Sequence, residues 1–210
     1  MKSQFYQILF KIIKKGEFLG SIGSYLDVES SELYFNGCDS CNGECCNGSE
    51  GYALTPLILE DIESVYKNFE ILFGFLNDEL RLFMVLNDGN GHCRHYIEGK
   101  CSIYSERPPA CRLYPVTPYF DRVLVDTSCP SVNSLKIGEK VFSDNELHPM
   151  FQNSRLNNFN EKLSKTTNFL KDIDREKLSF RKSVLGVDLL YFNGNSNSHY
   201  IKRHLESINF

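Results

Sequence analysis

The sequence has no run of about 18 apolar residues, the length a membrane-spanning helix needs, so no part of it reads as a transmembrane segment. It has no excess of basic charge. Its 23 Lys and Arg are interspersed with 27 Asp and Glu for a net charge of -4. A nucleic-acid partner would call for a basic stripe, and none is present. There is no repeat of fixed period and no long low-complexity run, which sets aside solenoid architectures and tethers. The opening segment "MKSQFYQILFKIIKKGEF" is apolar and basic but lacks a small-residue cleavage site, and Lys11 interrupts its apolar run. It reads instead as a docking helix with Phe5, Leu9, Ile12 and Ile13 on one face. The alternative is a membrane-surface helix with Lys11, Lys14 and Lys15 near lipid headgroups.

Cysteine is missing from both ends of the chain. All eight cysteines lie between Cys38 and Cys129. With 210 residues, 41% of them hydrophobic, the chain can bury a core without disulfide staples. With no export signal the expected compartment is the cytoplasm, where such a pattern points to metal or redox chemistry. Asn47-Gly48-Ser49 fits a glycosylation acceptor but reads as a turn outside a secretory context.

The densest stretch is "CDSCNGECC", Cys38 to Cys46. Cys38 and Cys41 have the C-x2-C spacing that aims two sulfurs at one cation, roughly 3.7 Å apart in a tetrahedral thiolate site. Asn42-Gly43 reverses the chain and returns Cys45 and Cys46 to the same place. Adjacent side chains diverge in both strand and helix, so Cys45 and Cys46 are awkward partners for one ion. They suit two nearby metals, or one binds while the other packs. Downstream, Cys93, Cys101, Cys111 and Cys129 complete two sets of four. His92 and His95 flank Cys93 as further nitrogen donors, although surface or core roles fit a single His better. Arg94, Lys100, Arg107 and Arg112 lie beside cysteines and would balance thiolate charge, with Arg107 and Arg112 the stronger candidates. Glu44, Asp61, Tyr104 and Tyr114 sit in or near these blocks, where structural roles are expected.

Elsewhere, Thr55 and Pro56 read as a helix start, followed by Ile58, Ile62, Val65, Tyr66 and Phe69 at helical spacing. Leu80 to Leu86 reads as a strand or a buried helix end, and "NDGNG" as a turn. Two short strands flank Glu98-Gly99-Lys100, and "YFDRVLVDT" alternates as a strand. The prolines of "ERPPACRLYP" exclude a long helix. After Pro149 the tail is helical in pattern, with Phe151, Leu156, Phe159, Leu163 and Phe169 as its apolar side. "SVLGVDLLYF" adds a buried element and a short helix ends the chain.

Together, "CDSCNGECCNGSEGYALTPLILEDI", "GHCRHYIEGKCSIYSERPPACRLYP" and "SCP" resemble the YkgJ-type cysteine-cluster proteins, a CxxCxxCC family described as chelating zinc or iron. The broad group includes the flagellin lysine N-methylase FliB. The family's second block, C-x-I-Y-x-x-R-P-x-x-C-R-x-[YF]-P, is met at every fixed position from Cys101 to Pro115. The first block departs from the pattern, with three residues, Asn42-Gly43-Glu44, before the cysteine pair instead of two. The resemblance covers about residues 35 to 132 and implies metal binding, either an iron–sulfur cluster or zinc. Protein-lysine N-methylation of the FliB kind is a second implication, although no glycine-rich strand-to-helix segment offers a methyl-donor pocket. A thiol redox protein using Cys38 and Cys41 is a third reading. In a fourth, the cysteines only hold together a loop-rich centre, and function lies with a protein partner of the tail.

The expected architecture is mainly α with short β-strands, a loop-rich metal-centred core with flanking helices. Its expected parts are a helical lead-in (1–30), a cysteine-cluster metal-binding domain (31–132) and a helical C-terminal extension (133–210). The expected ligands are Cys38, Cys41, Cys45, Cys46, Cys93, Cys101, Cys111 and Cys129.

Overall fold

A computed structural model of the chain describes residues 25–209 apart from 39–40, 49–51, 77 and 120–121. The expected docking helix around Phe5 to Ile13 lies outside the described residues.

Strands dominate. In chain order they are β1 (Tyr25–Asp27), β2 (Tyr34–Phe35), β3 (Leu54–Pro56), β4 (Glu70–Leu76), β5 (Glu79–Val85), β6 (Tyr96–Ile97), β7 (Lys100–Cys101), β8 (Val116–Tyr119), β9 (Arg122–Asp126), β10 (Val132–Asn133), β11 (Glu139–Lys140), β12 (Phe142–Ser143), β13 (Glu146–Leu147), β14 (Leu178–Val184) and β15 (Val187–Phe192). Among the described residues the α-helices are α1 (Ile62–Val65), α2 (Pro109–Leu113), α3 (Phe159–Lys171) and α4 (His199–Ser207). The expectation of a mainly α fold is therefore corrected: the chain is richer in sheet. The error has a physical source. β4 and β5 are buried on nearly every residue, so they lack the polar alternation that marks a half-buried strand.

The largest sheet has the order β14-β15-β4-β5-β3. β4 and β5 form an antiparallel hairpin from Glu70↔Val85 to Leu76↔Glu79, with Asp78 left-handed (φ 62) at its turn. β14 and β15 come from the tail, which is thus only partly helical. They are joined through Leu185 (φ 51) and Gly186 (φ 78), the paired positive φ of a two-residue hairpin turn. Leu54–Pro56 is not a helix start: Leu54 pairs with Val85 and Pro56 with Phe83. Pro56 is tolerated because β3 is the edge strand, where a missing N–H interrupts no inner ladder. The helical turn begins later, at Leu59–Asp61, where the buried Asp61 carboxylate accepts Ile58 N–H at 3.0 Å.

Three buried clusters hold the molecule together. One lies against α3 and α4 and includes Ile62, Phe69, Ile71, Phe73, Leu82, Met84, Leu170 and Ile201, with Cys93 among them. A second, without cysteine, joins Leu54, Leu72, Phe83, Val85, Val184 and Leu189. The third packs Phe35, Leu113, Val116, Val125, Cys129 and Phe151 under the small sheets β1-β9-β8 and β10-β2-β11. Phe151 and Leu156 therefore belong to this third cluster and not to the face of α3, and Phe169 packs edge-on against Tyr200. No helix of the described residues is long and apolar enough to cross a membrane.

Candidate metal centre

The first cysteine block is a chain of tight turns. Cys41 N–H donates to the Cys38 carbonyl at 3.1 Å. Gly43 then takes the left-handed conformation (φ 71, ψ 34) and opens a 3-10 turn, Glu44–Cys46. Any larger residue there would meet the Tyr96 ring, since a Cβ would stand 2.3 Å from Tyr96 Cε2. The turn sets the Cys45 and Cys46 sulfurs 3.9 Å apart. That is far longer than a disulfide of about 2.05 Å, and close to the roughly 3.7 Å between two thiolates on one tetrahedral ion. The two sulfurs therefore diverge less than on a regular strand or helix.

The second block is brought in by short backbone ladders. Gly48 N–H donates to Gly91 O at 2.6 Å and Cys93 N–H to Cys46 O at 2.7 Å, flanking a bridge between Asn47 and His92. This places Cys93 beside Cys46. Cys101 lies on β7, opposite Tyr96, in a hairpin turned by Glu98 (φ 50) and Gly99 (φ 82). Cys111 sits in α2, which Pro109 opens at its first position and which is only five residues long.

The result is one cavity of about 610 Å³ lined by Cys38, Cys41, Cys45, Cys46, Cys93, Cys101 and Cys111. Cys129 does not line it. It packs in the third buried cluster, against which Cys38 also rests. All eight cysteines are free thiols in this structure. Among the described residues, no three Cys, His, Asp or Glu side chains already close on one point as a finished ion cage.

Burial sets the electrostatics. It pushes the thiols of Cys38, Cys101 and Cys111 upward and that of Cys129 up to about 12, and neighbouring thiols add to each shift. Cys46 donates towards both Cys45 and Cys93. Its own proton is held tightly, while Cys93 is lowered to about 7. Arg107 opposes the burial effect at Cys38, Cys45, Cys101 and Cys111. Its guanidinium lies 3.7 Å from the Tyr104 ring centre, and its Nε donates to Tyr104 O at 3.0 Å. Arg107 thus takes the expected charge-balancing place, and Lys100 also lines the cavity. Arg94 favours the Cys93 thiolate from an exposed position. Arg112 is exposed and does not line the cavity, against expectation. The donor set fits a thiophilic cation, because such a cation offsets what disfavours ionisation of crowded, buried thiols.

Of the two histidines, His95 lines the cavity and His92 does not. His95 Nε2 bonds to Asn68 O at 3.0 Å and its ring packs edge-on against Phe69. His92 stacks on Tyr96 with ring centres 4.5 Å apart. The C-x2-C segment runs into a 3-10 turn and not into the long helix a thioredoxin-type motif requires.

One feature of this region escapes sequence rules. Asp126 is fully buried. Its Oδ2 accepts Tyr52 OH at 3.0 Å and lies 3.4 Å from Tyr114 OH, while Oδ1 accepts Ser128 N–H at 2.9 Å and Ser128 OH at 2.6 Å. Tyr52 follows the first cysteine block, Tyr114 follows Cys111, and Ser128 precedes Cys129. Cys129 N–H donates to Asp126 O at 3.2 Å. Alternation predicts the strand that ends at Asp126, and the Ser128 contact is local, but nothing in a single sequence reveals that the Tyr52 and Tyr114 hydroxyls meet there.

Residues 37–135 match the family model named CxxCxxCC, whose description reads "Putative zinc- or iron-chelating domain". No curated protein and no solved structure matches the chain.

Proposed function

Because residues 37–135 belong to the CxxCxxCC family, we propose that the chain is a YkgJ-type metal-binding protein whose thiols chelate an iron–sulfur cluster or zinc. One observation carries the reading: seven cysteines from separate stretches of chain reach a single cavity. Cys38, Cys41, Cys45, Cys46, Cys93, Cys101 and Cys111 form the ligand pool, with Cys129 as the eighth thiol behind it. Four thiolates on a divalent ion leave a charge of about -2. Arg107 and Lys100 are placed to balance it, a task of the groups around the ligands. The proposed compartment is the cytoplasm, where thiols persist unoxidised.

Anaerobic purification followed by elemental analysis and a visible spectrum tests this. Iron with acid-labile sulfide and a broad visible absorption is expected for a cluster, and colourless protein with bound zinc for the alternative. Cys46→Ser should lower the metal content more than Cys129→Ser, since Cys46 faces two other thiols and Cys129 lies outside the cavity. A folded, colourless, metal-free protein would rule the proposal out.

A further inference from the structure

The thiols rest on two different parts of the core. Cys93 belongs to the first buried cluster, and Cys46 and Cys111 pack against it. Cys129 belongs to the third, and Cys38 packs against that one. The backbone divides them in the same way. Cys93 N–H donates to Cys46 O, and Cys101 follows soon after on β7. Cys41 N–H donates to Cys38 O, which holds those two in one turn.

The adjacent pair stands between the two sets. The Cys45 and Cys46 sulfurs are 3.9 Å apart, a spacing that suits one ion or two neighbouring ions. Cys46 turns to Cys93. Cys45 acts on Cys38 and Cys129 to one side and on Cys101 and Cys111 to the other.

Cys129 is the informative thiol. It is 6% exposed and lies outside the cavity that the other seven line. Its sulfur nevertheless accepts the Ser131 N–H, as the Cys93 sulfur accepts the His95 N–H and the Cys101 sulfur the Ile103 N–H. In all three the donor lies two residues further along the chain. A main-chain N–H aimed at sulfur favours the thiolate, the form that binds metal, and supports it once bound. Cys129 is thus dressed as a ligand, like Cys93 and Cys101. The thiols that act on it are Cys41, Cys45 and Cys38, whereas those that act on Cys111 are Cys45, Cys93 and Cys101.

From this division we infer that the chain holds two metal centres instead of one. Cys38, Cys41, Cys45 and Cys129 serve the first. Cys46, Cys93, Cys101 and Cys111 serve the second. Four thiolates complete a tetrahedral centre, so eight supply two. The adjacent pair is split, one thiol to each. The inference rests on the metal-binding reading and adds which thiols share a centre.

The full chain, stripped of metal anaerobically and titrated with Cd²⁺ under cadmium NMR, tests it. Two equivalents per chain and two signals in the thiolate region are expected. Cys129→Ser should move one signal and leave the other in place, and Cys101→Ser should move only the other. Cys38→Ser should repeat the Cys129→Ser pattern, and it decides if Cys129→Ser does not fold. A single equivalent, or one signal moved alike by Cys38→Ser and Cys101→Ser, would overturn the two-centre inference and spare the metal reading. Two signals of which neither responds to Cys38→Ser or Cys129→Ser would overturn it too. No binding of Cd²⁺, with no metal in the chain as purified, would overturn the metal reading itself.

Discussion

At the scale of single residues, the geometry of the thiol block turns on Gly43. Its left-handed backbone costs an L-residue about 1–2 kcal/mol, and a Cβ there runs into Tyr96. Tyr96 is only partly buried and can swing away, at the expense of its stack on His92. Gly43→Ala is therefore expected to fold, with a loss of roughly 1–3 kcal/mol and a drop in bound metal, measured by denaturant melts and elemental analysis. Unchanged metal content would show that Cys45 and Cys46 do not depend on this turn. The need for a tight reversal at Asn42-Gly43 is legible in the sequence, but the reason no side chain fits is not. Tyr96 lies far along the chain and meets Gly43 only through the ladder that joins Cys46 to Cys93. The same holds for the sulfur spacing. Neighbouring cysteines look divergent on either regular backbone, and only the 3-10 turn sets them 3.9 Å apart.

At the scale of elements, α4 is fastened to the large sheet by His204. This imidazole is 1% exposed. Its Nδ1 donates to Ile71 O on β4 at 2.6 Å, and its Nε2 accepts Phe192 N–H on β15 at 2.9 Å. Both nitrogens are satisfied only in the neutral ring, since a proton on Nε2 would face a donor. Burial lowers the pKa from 6.5 to about 4, and the bond to Ile71 O opposes that shift in part. The unfolded chain thus binds the proton more readily than the folded one. Stability should be full above pH 6.5, fall as the pH drops towards about 4, and change no further on this account below it. The total loss is roughly 3 kcal/mol. Urea midpoints between pH 7 and 4 would show it, and His204→Gln should be less stable but flatter across the same window. An equally steep profile in the variant would assign the slope to other groups. Elements were read best where turn chemistry was local. The β6–β7 hairpin follows from Glu98-Gly99, and the short α2 follows from its prolines. Leu54–Pro56 pairs as a strand although Thr-Pro before helically spaced apolar residues is a sound helix signal, because pairing to Val85 and Phe83 is a long-range fact.

At the scale of the whole molecule, cysteine-free and cysteine-bearing regions are distinct. The cluster of Leu54, Leu72, Phe83, Val85, Val184 and Leu189 contains no thiol, whereas Cys46, Cys93 and Cys111 pack around the first cluster. Removal of metal by a chelator is therefore expected to loosen the molecule unevenly. Amide hydrogen exchange should quicken in 41–48, 91–101 and 109–113, while β4, β5 and β15 stay protected. Uniform acceleration would mean that the metal organises the entire fold. The gathering of cysteines was the most legible feature of this sequence, because their spacing and the Cys101–Pro115 block carry it locally, although Cys129 lies outside the cavity the other seven line. The large sheet was the least legible, since two of its strands come from a tail whose other segments are helical in pattern.

Asp126 gives this division a consequence in time. Through Tyr52, Tyr114 and Ser128 a single carboxylate ties together the stretches that follow the first cysteine block, follow Cys111 and lead into Cys129. None of these bonds involves sulfur. The frame that carries the thiols is thus held in part by bonds that use neither sulfur nor a metal ion. An incoming cation is then expected to gather thiols on segments already tied to one another, at less closure entropy than on an open chain. Loading is then expected to be a local and repeatable event, with the chain staying folded when the ion leaves.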